Sequence, residues 1–255
     1  PDRLRILPWR REILTGLLAN DLIAFQLDRD RRNFTVAVRE ELGFDVTRNT
    51  VRVGNRTVVV NVVPIGVDYD RIQKITTNRA NADEMARLRL ELSLDTPVIG
   101  IGVDRLDYTK GVLERLDAVA LLLERRPDLR DRLTFVQVGV PSRSKIKSYV
   151  DVVAAIDCKV AEINKRFGRE GREPVRYRKS SLRIKRLVAL YCLADFCIVS
   201  SLHDGMNLVA KEFVAAREDL NGVLVLSELA GAAQELHDAL IINPYDIEGF
   251  TDALE

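Results

Sequence analysis

The sequence has few of the residues on which disulfide-rich and zinc-binding proteins depend. It contains three cysteines, none in a CxxC spacing, and two histidines among 255 residues. Neither a disulfide framework nor a zinc site built on paired Cys or His ligands is therefore expected. Cys192 and Cys197 lie in apolar segments, where small buried thiols are common. We expect a reducing, cytoplasmic environment.

The sequence also lacks a long apolar run and an excess of charge of either sign. No apolar run is as long as the about 18 residues that a membrane-spanning helix needs. The sequence also shows no signal-peptide pattern at its start. The 39 Lys and Arg residues balance 38 Asp and Glu residues, which gives a formal net charge of +1. We therefore expect neither a membrane nor a nucleic acid as partner. Because the chain begins at Pro1 and ends within an apparent helix, we expect a fragment of a longer protein.

The first 94 residues combine helical and strand patterns. Apolar periodicity predicts helices over residues 11–26 and 31–44, and a third, exposed helix over residues 80–94. Between them, β-branched runs over residues 49–68 flank a turn signal at Gly54. This segment predicts a hairpin or two short strands.

From Thr96 onward, short apolar runs alternate with helical segments. Runs of Val, Ile and Leu without polar alternation are typical of a parallel sheet that helices cover on both faces. Six strands are predicted, with the sequences "PVIGIGV", "RLTFVQVGV", "PVRYR", "DFCIVS", "GVLVLS" and "ALIIN". This part is therefore expected to be α/β, with ligands bound beyond the carboxyl ends of the strands.

One segment is strongly basic. Residues 169–186, "REGREPVRYRKSSLRIKR", hold eight basic residues. They fit either a nucleic-acid stripe or a solvated face. Tyr177 is the only aromatic residue among them, so stacking platforms are scarce and the solvated face is favoured.

The loop after the first of the six strands, "GVDRLDYTKG" (102–111), carries two cations just before a predicted helix. Arg105 offers a planar fork of donors, Lys110 a mobile charge, and the helix start free N–H groups. Together they suit a pyrophosphate. The alternative is that both cations form surface ion pairs with Asp104 and Asp107. The segment matches neither the dinucleotide-binding fingerprint nor a P-loop.

The loop after the second strand, "GVPSRSK" (139–145), places Arg143 at the same edge of the sheet, beside Ser142 and Ser144. Hydroxyls and a guanidinium at a helix start suit a phosphate or a sugar. The alternative is a plain helix N-cap next to an unrelated arginine.

A third loop, in "LHDGMNLVAKEF" (202–213), follows the fourth strand and opens a helix predicted to begin near Met206. Asp204 either caps this helix or accepts hydrogen bonds from sugar hydroxyls, and Gly205 lets a ligand approach the backbone. The free amides at this helix start are predicted to be those of Met206, Asn207, Leu208 and Val209.

Glu212 lies about two turns into the same predicted helix. It either accepts from two neighbouring hydroxyls, as on a ribose, or pairs with Lys211 or Arg217. One edge of the sheet thus collects donors for a diphosphate and acceptors for hydroxyls. That combination is the set of groups a sugar nucleotide requires.

Several segments together resemble the signatures of the UDP-forming α,α-trehalose-phosphate synthases, glycosyltransferase family 20. They are "GVDRLDYTKG", "VPSRS", "DGMNLVAKEFVAA" and "LSELAGAAQEL" with the "ALIINPYD" that follows it. Near the start, "LPWRREILTGLLANDLIAFQ" is also similar to a segment of that family. The resemblance extends along essentially the whole chain. His203, Ala24 and Leu229 stand where the family usually has Arg, Gly and Phe.

The resemblance implies a retaining glucosyltransferase of the GT-B type, with two Rossmann-like domains of which the N-terminal one is incomplete here. Residues 1–94 would belong to that acceptor-side domain and residues 95–255 would form the nucleotide-sugar domain. Such enzymes transfer glucose from UDP-glucose to glucose 6-phosphate, and they release UDP and trehalose 6-phosphate. UDP-glucose is a substrate, so no cofactor or metal is expected. A homo-oligomer is compatible with the resemblance.

The resemblance also implies roles for individual residues. Arg105 and Lys110 would hold the donor diphosphate and Asp204 the transferred glucose, and these three would form the catalytic set. Glu212 would hold the ribose, and Arg143 the phosphate of the acceptor. The remaining donor contacts would be Leu182 near uracil, the backbone of Gly205, Met206 and Asn207 on the glucose, and the amides of Leu208 and Val209 on the phosphates.

Two other functions stay open. A non-catalytic regulatory module would bind UDP-sugars or sugar phosphates without transfer, and another sugar-nucleotide transferase of the same fold would use a different acceptor. This chain alone is expected to bind UDP and to transfer no glucose, because catalysis needs both walls of a cleft to exclude water and position the acceptor.

Overall fold

A computed structural model describes residues 2–141, 146–169 and 171–255 of the chain. The chain divides into two compact units, Pro1–Ile65 and Gly66–Glu255, and each is described by itself. Within the described ranges, no helix is both long enough and apolar enough to cross a membrane.

The first unit combines three helices with a three-stranded sheet. In chain order its elements are α1 (Asp2–Arg5), α2 (Arg10–Leu17), β1 (Leu22–Phe25), α3 (Asp28–Leu42), β2 (Thr50–Val53) and β3 (Arg56–Val62). The strand order is β1-β3-β2, with β1 parallel and β2 antiparallel to β3. Leu14, Phe34, Val38 and Val58 are among the buried residues that join the helices to the sheet.

The helix predicted over residues 11–26 is wrong in its second half. Helix α2 ends at Leu17, whose carbonyl accepts a hydrogen bond from the Asn20 side chain (2.9 Å). Leu22–Phe25 forms strand β1 and pairs with β3. Four apolar residues fit a strand as well as a helical turn, and pairing with β3 decides between them.

The other two predictions for this unit are confirmed. The predicted second helix is α3, and it ends where Gly43 adopts a left-handed conformation (φ 70°). The hairpin forms from β2 and β3 around Gly54 (φ 61°).

The second unit is an α/β structure, and all six strands predicted from the sequence are confirmed. In chain order, its α-helices and strands are α4 (Tyr69–Thr76), α5 (Arg79–Glu91), β4 (Val98–Leu106), α6 (Val112–Arg125), β5 (Leu133–Pro141), α7 (Lys147–Phe167), β6 (Val175–Arg178), α8 (Ile184–Leu193), β7 (Phe196–Val199), α9 (Leu208–Ala216), β8 (Val223–Ser227), β9 (Leu240–Ile242) and α10 (Ile247–Asp252). All neighbouring strands are parallel. Leu116, Ile156 and Phe250 join α6, α7 and α10 in one buried core with the sheet.

The strand order of this sheet determines where a ligand can bind. The order is β6-β5-β4-β7-β8-β9. From β4 the chain proceeds outward through β5 to β6, and then returns to the other side of β4 with β7. In open α/β sheets, ligands bind beyond the carboxyl ends of the strands at the point where this direction reverses. That point lies between β4 and β7.

Helix α5 is largely exposed, as the sequence predicts, and its buried residues are Asn81 and Leu88; the helix packs against α8. Its N-cap is Asn78, whose side chain accepts from the Ala80 amide (2.9 Å). Both α4 and α5 belong to the compact unit that begins at Gly66. The domain boundary between residues 94 and 95 stays a prediction for the whole protein.

Candidate functional site

The loop after β4 is held in one conformation by its own hydrogen bonds and by a neighbouring strand end. Asp107 accepts from the Thr109 amide (2.9 Å) and opens a short 3-10 helix over Tyr108–Lys110. Gly111 then adopts a left-handed conformation (φ 62°), and α6 begins at the next residue. A Cβ on Gly111 would lie 2.0 Å from the carbonyl oxygen of Ser200, so a larger residue does not fit.

The loop after β7 opens its helix later than predicted. Helix α9 begins at Leu208 rather than near Met206. Asn207 is the N-cap, and its side chain accepts from the Ala210 amide (3.0 Å). The Met206 amide instead donates to Asp204 (3.4 Å). The prediction of the helix start is therefore wrong by two residues, and the uncapped amides of the first turn are those of Leu208 and Val209.

Backbone hydrogen bonds fix three strand-end loops to each other. The amides of Leu202 and His203 donate to the carbonyl of Thr109 (2.8 and 3.3 Å). In the loop after β8, the amide of Gly231 donates to the carbonyl of Asp204 (3.1 Å). The loops after β4, β7 and β8 therefore form one continuous edge of the sheet.

Lys110 and Asp204 meet at the centre of this edge. Lys110 Nζ donates to Asp204 Oδ2 at 2.6 Å, and the two side chains are only 14% and 16% exposed. The alternative in which Lys110 pairs with Asp104 or Asp107 is therefore wrong. The alternative in which Asp204 merely caps the helix is also wrong, because Asn207 fills that role.

The surroundings of Asp204 keep its carboxylate ionised. Burial raises the pKa of Asp204, but the hydrogen bond and charge of Lys110, helped by Asn207 and the Met206 amide, outweigh burial. The pKa of Asp204 consequently lies below its ordinary value. At neutral pH the edge thus presents an ammonium and a carboxylate side by side.

Arg105 lies near the end of β4 with its side chain exposed. Within the part of the chain that the structure describes, it has no ion pair or hydrogen-bond partner among the side chains. The neighbouring Asp104 is buried and pairs with Arg115 at 2.7 Å instead. The alternative in which Arg105 pairs with Asp104 or Asp107 is therefore wrong, and its guanidinium remains available for a ligand.

Glu212 does not form either of the ion pairs that the sequence left open. Lys211 donates to Glu235 (2.9 Å), and Arg217 donates to Asp219 and to backbone carbonyls. Glu212 Oε2 instead accepts from the Tyr191 hydroxyl (3.0 Å). Burial raises the pKa of Glu212 above its ordinary value, although the Tyr191 hydrogen bond lowers it. The second carboxylate oxygen has no protein partner among the described residues.

If Glu212 binds the ribose of UDP-glucose, as the resemblance implies, its raised pKa predicts that the affinity for UDP-glucose falls in mildly acidic solution. If the carboxylate accepts from ribose, protonation weakens the site, and it begins above the about 4.3 of an ordinary Glu. UDP-glucose suits the titration because its diphosphate is esterified at both ends and keeps its charge. Glu212→Gln should remove this pH dependence. Calorimetric titrations at several pH values would measure both curves, and superimposable curves would contradict a ribose role for Glu212.

Stability provides an independent check on the same pKa. A carboxyl whose pKa is raised by folding makes its full contribution to stability below its pKa in the unfolded chain. That contribution is lost as the pH rises through its pKa in the folded state, because the native state binds the proton more tightly than the unfolded state does. Glu212→Gln should therefore raise the free energy of unfolding at neutral pH and leave it nearly unchanged near pH 4. An equal effect at both pH values would contradict the raised pKa.

The other predicted site residues are placed as follows. Leu208 and Val209 lie half-buried in the first turn of α9, and Gly205 is exposed. Leu182 is half-buried in the loop between β6 and α8, which is also a carboxyl-end loop. Arg143, with Ser142 and Ser144, lies outside the described residues. Within residues 2–141, 146–169 and 171–255, no group of three or more His, Cys, Asp or Glu is arranged to hold a metal ion.

A buried polar network beneath this edge was missed from the sequence. Arg115 is fully buried and donates to Asp104 (2.7 Å), Gln137 (3.0 Å) and the Ser200 hydroxyl (3.1 Å). The Ser200 hydroxyl in turn donates to the carbonyl of Gly111 (2.7 Å). The network therefore supports the loop that carries Lys110. A sequence signal existed, since Arg115 occupies the apolar stripe of α6 three residues after Val112 and one before Leu116.

Comparison with known proteins agrees with this geometry. The profile of Glycosyltransferase family 20 matches residues 1–255. A bifunctional trehalose-6-phosphate synthase/phosphatase of Thermoproteus tenax is 45% identical over 255 residues, which are 99% of this chain and 35% of that protein. A trehalose-6-phosphate synthase of Mycobacterium sp. (strain KMS) is 42% identical over 259 residues, covering 98% of this chain and 53% of that protein.

Solved structures give the same result. An α,α-trehalose-phosphate synthase (UDP-forming) from Burkholderia xenovorans in complex with glucose-6-phosphate superposes with a TM-score of 0.90 at 36% identity, covering 98% of this chain and 56% of that one. An E. coli structure, described as trehalose-6-phosphate bound with UDP-2-fluoro glucose, gives a TM-score of 0.90 at 34% identity, with coverages of 100% and 56%.

The chain thus spans between 35% and 53% of the length of these two curated relatives. The profile match nevertheless covers every residue, and the solved relatives share its fold across essentially the whole chain. This chain belongs to glycosyltransferase family 20.

Proposed function

We propose that the protein to which this chain contributes is a retaining glucosyltransferase. It moves glucose from UDP-glucose to glucose 6-phosphate and forms α,α-trehalose 6-phosphate and UDP. The observation that carries the proposal is the 2.6 Å contact between Lys110 and Asp204. In the proposed complex Lys110 holds the diphosphate and Asp204 the glucose hydroxyls, and these two parts of a sugar nucleotide are joined by a single bond. Residues that bind them must therefore be neighbours.

The charge distribution of the edge suits the departure of a diphosphate. As the bond to the anomeric carbon breaks, negative charge accumulates on the leaving phosphate. Arg105, Lys110 and the free amides of Leu208 and Val209 stabilise that charge more strongly in the transition state than in the ground state. We propose that retention follows from attack on the same face of the sugar, with the leaving phosphate accepting the proton of the acceptor hydroxyl.

We assign residues to the other parts of the two substrates from their positions around Lys110 and Asp204. Glu212 lies one turn into α9 with one oxygen free for the ribose, and Leu182 follows β6 on the side proposed for uracil. Gly205, Met206 and Asn207 contribute backbone to the glucose subsite, and Arg143 is proposed for the phosphate of the acceptor. We further propose a cytoplasmic setting, where phosphorylated substrates are retained and where the three cysteines, all free, stay reduced.

An activity assay on the whole protein tests this function. Trehalose 6-phosphate should form from UDP-glucose with glucose 6-phosphate, and not with glucose or fructose 6-phosphate as acceptor. Arg105→Ala and Lys110→Ala should each reduce kcat by about a hundredfold or more, as is typical when a charge-stabilising donor is removed. The 255-residue chain alone should bind UDP without transfer.

Two outcomes would change the assignment. Transfer to a different acceptor would identify another sugar-nucleotide transferase of this fold. Tight binding of UDP-glucose by the whole protein with no transfer to any acceptor would identify the non-catalytic regulatory module instead.

A further inference from the structure

Tyr191 connects α8 to Glu212 through a buried hydroxyl. The residue lies in the last turn of α8 and has no exposed surface. Its hydroxyl donates to Glu212 Oε2 on α9 at 3.0 Å. Burial, followed by the charge of Glu212, holds the pKa of Tyr191 well above its ordinary value. The phenol therefore keeps its proton and acts as the donor in this contact at neutral pH.

The packing around Tyr191 fixes the position of its hydroxyl. Its ring meets the Phe213 ring edge-on, with centroids 6.1 Å apart and an angle of 83° between the ring planes. The buried Arg217 guanidinium, which follows α9, donates to three backbone carbonyls at the end of α8 and just beyond it (2.7, 2.8 and 3.3 Å). Both contacts tie the end of α8 to the helix that carries Glu212. The hydroxyl is therefore preorganised for that carboxylate.

The environment of Glu212 disfavours its charge. The side chain is half-buried, and among the residues that the structure describes no cation pairs with it. A carboxylate that is partly removed from water without a cation destabilises the folded state. Groups of this kind are concentrated at binding and catalytic sites. A role in packing alone does not explain why an acid stands here, whereas a ligand role does.

The contact with Tyr191 also determines which oxygen of Glu212 a ligand can reach. The terminal torsion of a glutamate side chain is broad, so a carboxylate without a partner presents either oxygen in many orientations. With Oε2 held by Tyr191, the plane of the carboxylate is restricted and Oε1 is the oxygen left for a ligand. One carboxylate oxygen has two lone pairs and can accept from two neighbouring hydroxyls.

We propose that Tyr191 is a positioning residue for ribose recognition: its hydroxyl orients the Glu212 carboxylate so that the remaining oxygen accepts from the ribose hydroxyls. This inference rests on the proposed function, since it takes a sugar nucleotide as the ligand of this edge. It goes further by assigning a preference for ribonucleotides over their deoxy analogues to a core residue that does not touch the ligand.

Two ligands that differ only in the ribose hydroxyls test this role. Calorimetric titrations of the chain with UDP and with its 2′,3′-dideoxy analogue measure the preference for those hydroxyls. The unchanged chain should bind UDP about tenfold more tightly than the analogue. Tyr191→Phe, which removes only the hydroxyl, should weaken UDP binding by about threefold or more and change the affinity for the analogue by less than about twofold. Glu212→Gln should reduce the same preference.

Tyr149→Phe is the matched control. It removes another buried tyrosine hydroxyl that donates to a carboxylate, that of Asp107 (3.3 Å), in the loop that carries Lys110. In the proposed complex this loop holds the diphosphate, which both ligands share. Any loss of affinity in Tyr149→Phe should therefore be equal for the two ligands, and the preference for ribose hydroxyls should stay that of the unchanged chain.

The pH dependence of binding gives a second readout, which a loss of packing would not move. Tyr191→Phe removes the hydrogen bond that lowers the pKa of Glu212. On acidification, the affinity of this variant for UDP-glucose should therefore begin to fall at a higher pH than that of the unchanged chain. Asp104, which pairs with Arg115, and Cys197 are the other titratable groups near the hydroxyl. Adding Glu212→Gln to Tyr191→Phe should abolish the shift, which separates Glu212 from these two groups.

The outcomes distinguish this inference from the proposed function. Equal weakening of both ligands by Tyr191→Phe, or no weakening of either, would overturn the positioning role and leave the proposed function intact. No binding of UDP by the folded, unchanged chain would overturn both. If Tyr191→Phe does not fold, the Cζ NMR signal of Tyr191 in the unchanged chain takes its place. That signal should shift saturably with UDP and not with the dideoxy analogue, and equal shifts with both ligands would overturn the positioning role.

Discussion

Arg115→Met is expected to lower the free energy of unfolding of the second unit by about 3–5 kcal/mol, the usual effect of removing one partner from a buried ion pair. The substitution leaves the Asp104 carboxylate buried without its cation. Burial raises the pKa of Asp104 even with Arg115 in place. The substitution also removes the Arg115 N–H groups that donate to Gln137 and Ser200. Urea denaturation followed by circular dichroism would measure the change.

The matched control is Arg126→Met, which removes an arginine from the exposed end of the same helix. Arg126 pairs with Asp128 at 2.8 Å, and both side chains are 40% or more exposed. Water and salt screen such an exposed pair, so it contributes little to the free energy of unfolding. If Arg115→Met fails to fold, the double substitution Asp104→Leu with Arg115→Met should recover folding, because it removes both buried charges. Equal stability of Arg115→Met and Arg126→Met would contradict the supporting role of the network.

Gly111→Ala is expected to weaken the affinity for UDP by at least about a hundredfold, because the substitution displaces the loop that carries Lys110. The new Cβ would lie 2.0 Å from the Ser200 carbonyl oxygen, and the backbone there has a φ of 62°. A hydrogen bond to a charged group contributes about 1.5–3 kcal/mol, so losing the contact of Lys110 with the diphosphate accounts for an effect of this size. Calorimetric titration with UDP would measure it.

Gly171→Ala separates the collision from the backbone strain. Gly171 also has a left-handed φ (76°), but a Cβ there meets no atom of the described residues within 4 Å. Both substitutions carry a strain of about 1 kcal/mol or more, and only Gly111→Ala carries the collision. Gly171→Ala should therefore bind UDP as the unchanged chain does. Loss of UDP binding in both variants would show that strain, rather than the position of the Lys110 loop, sets the affinity.

The sequence predicted the position of the candidate site better than its internal contacts. Apolar runs without alternation identified the six strands, and the geometry of parallel sheets placed Arg105, Lys110 and Asp204 at one edge. The 2.6 Å contact between Lys110 and Asp204 could not be read from the sequence. It depends on a strand order that places β7 beside β4 although 94 positions separate the two residues.

The misplaced elements share a physical cause. Leu22–Phe25 is apolar enough for a helix or a strand, and tertiary pairing with β3 selects the strand. At α9, both Asp204 and Asn207 are good N-cap residues, so local preference could not choose between them. Lys110 engages Asp204 from another strand end and leaves Asn207 as the cap. In both places local sequence preference leaves two structures equally favoured, and a contact with a residue distant in sequence selects one of them.

The most direct test of the donor site is a calorimetric titration of this chain with UDP, beside Arg105→Ala, Glu212→Ala and the Arg126→Met control. We predict saturable binding by the unchanged chain and by the control, weakened by about tenfold or more in each of the other two variants. Absence of binding by a folded chain, or binding that Arg105→Ala and Glu212→Ala leave unchanged, would contradict a nucleotide-sugar site at this edge of the sheet.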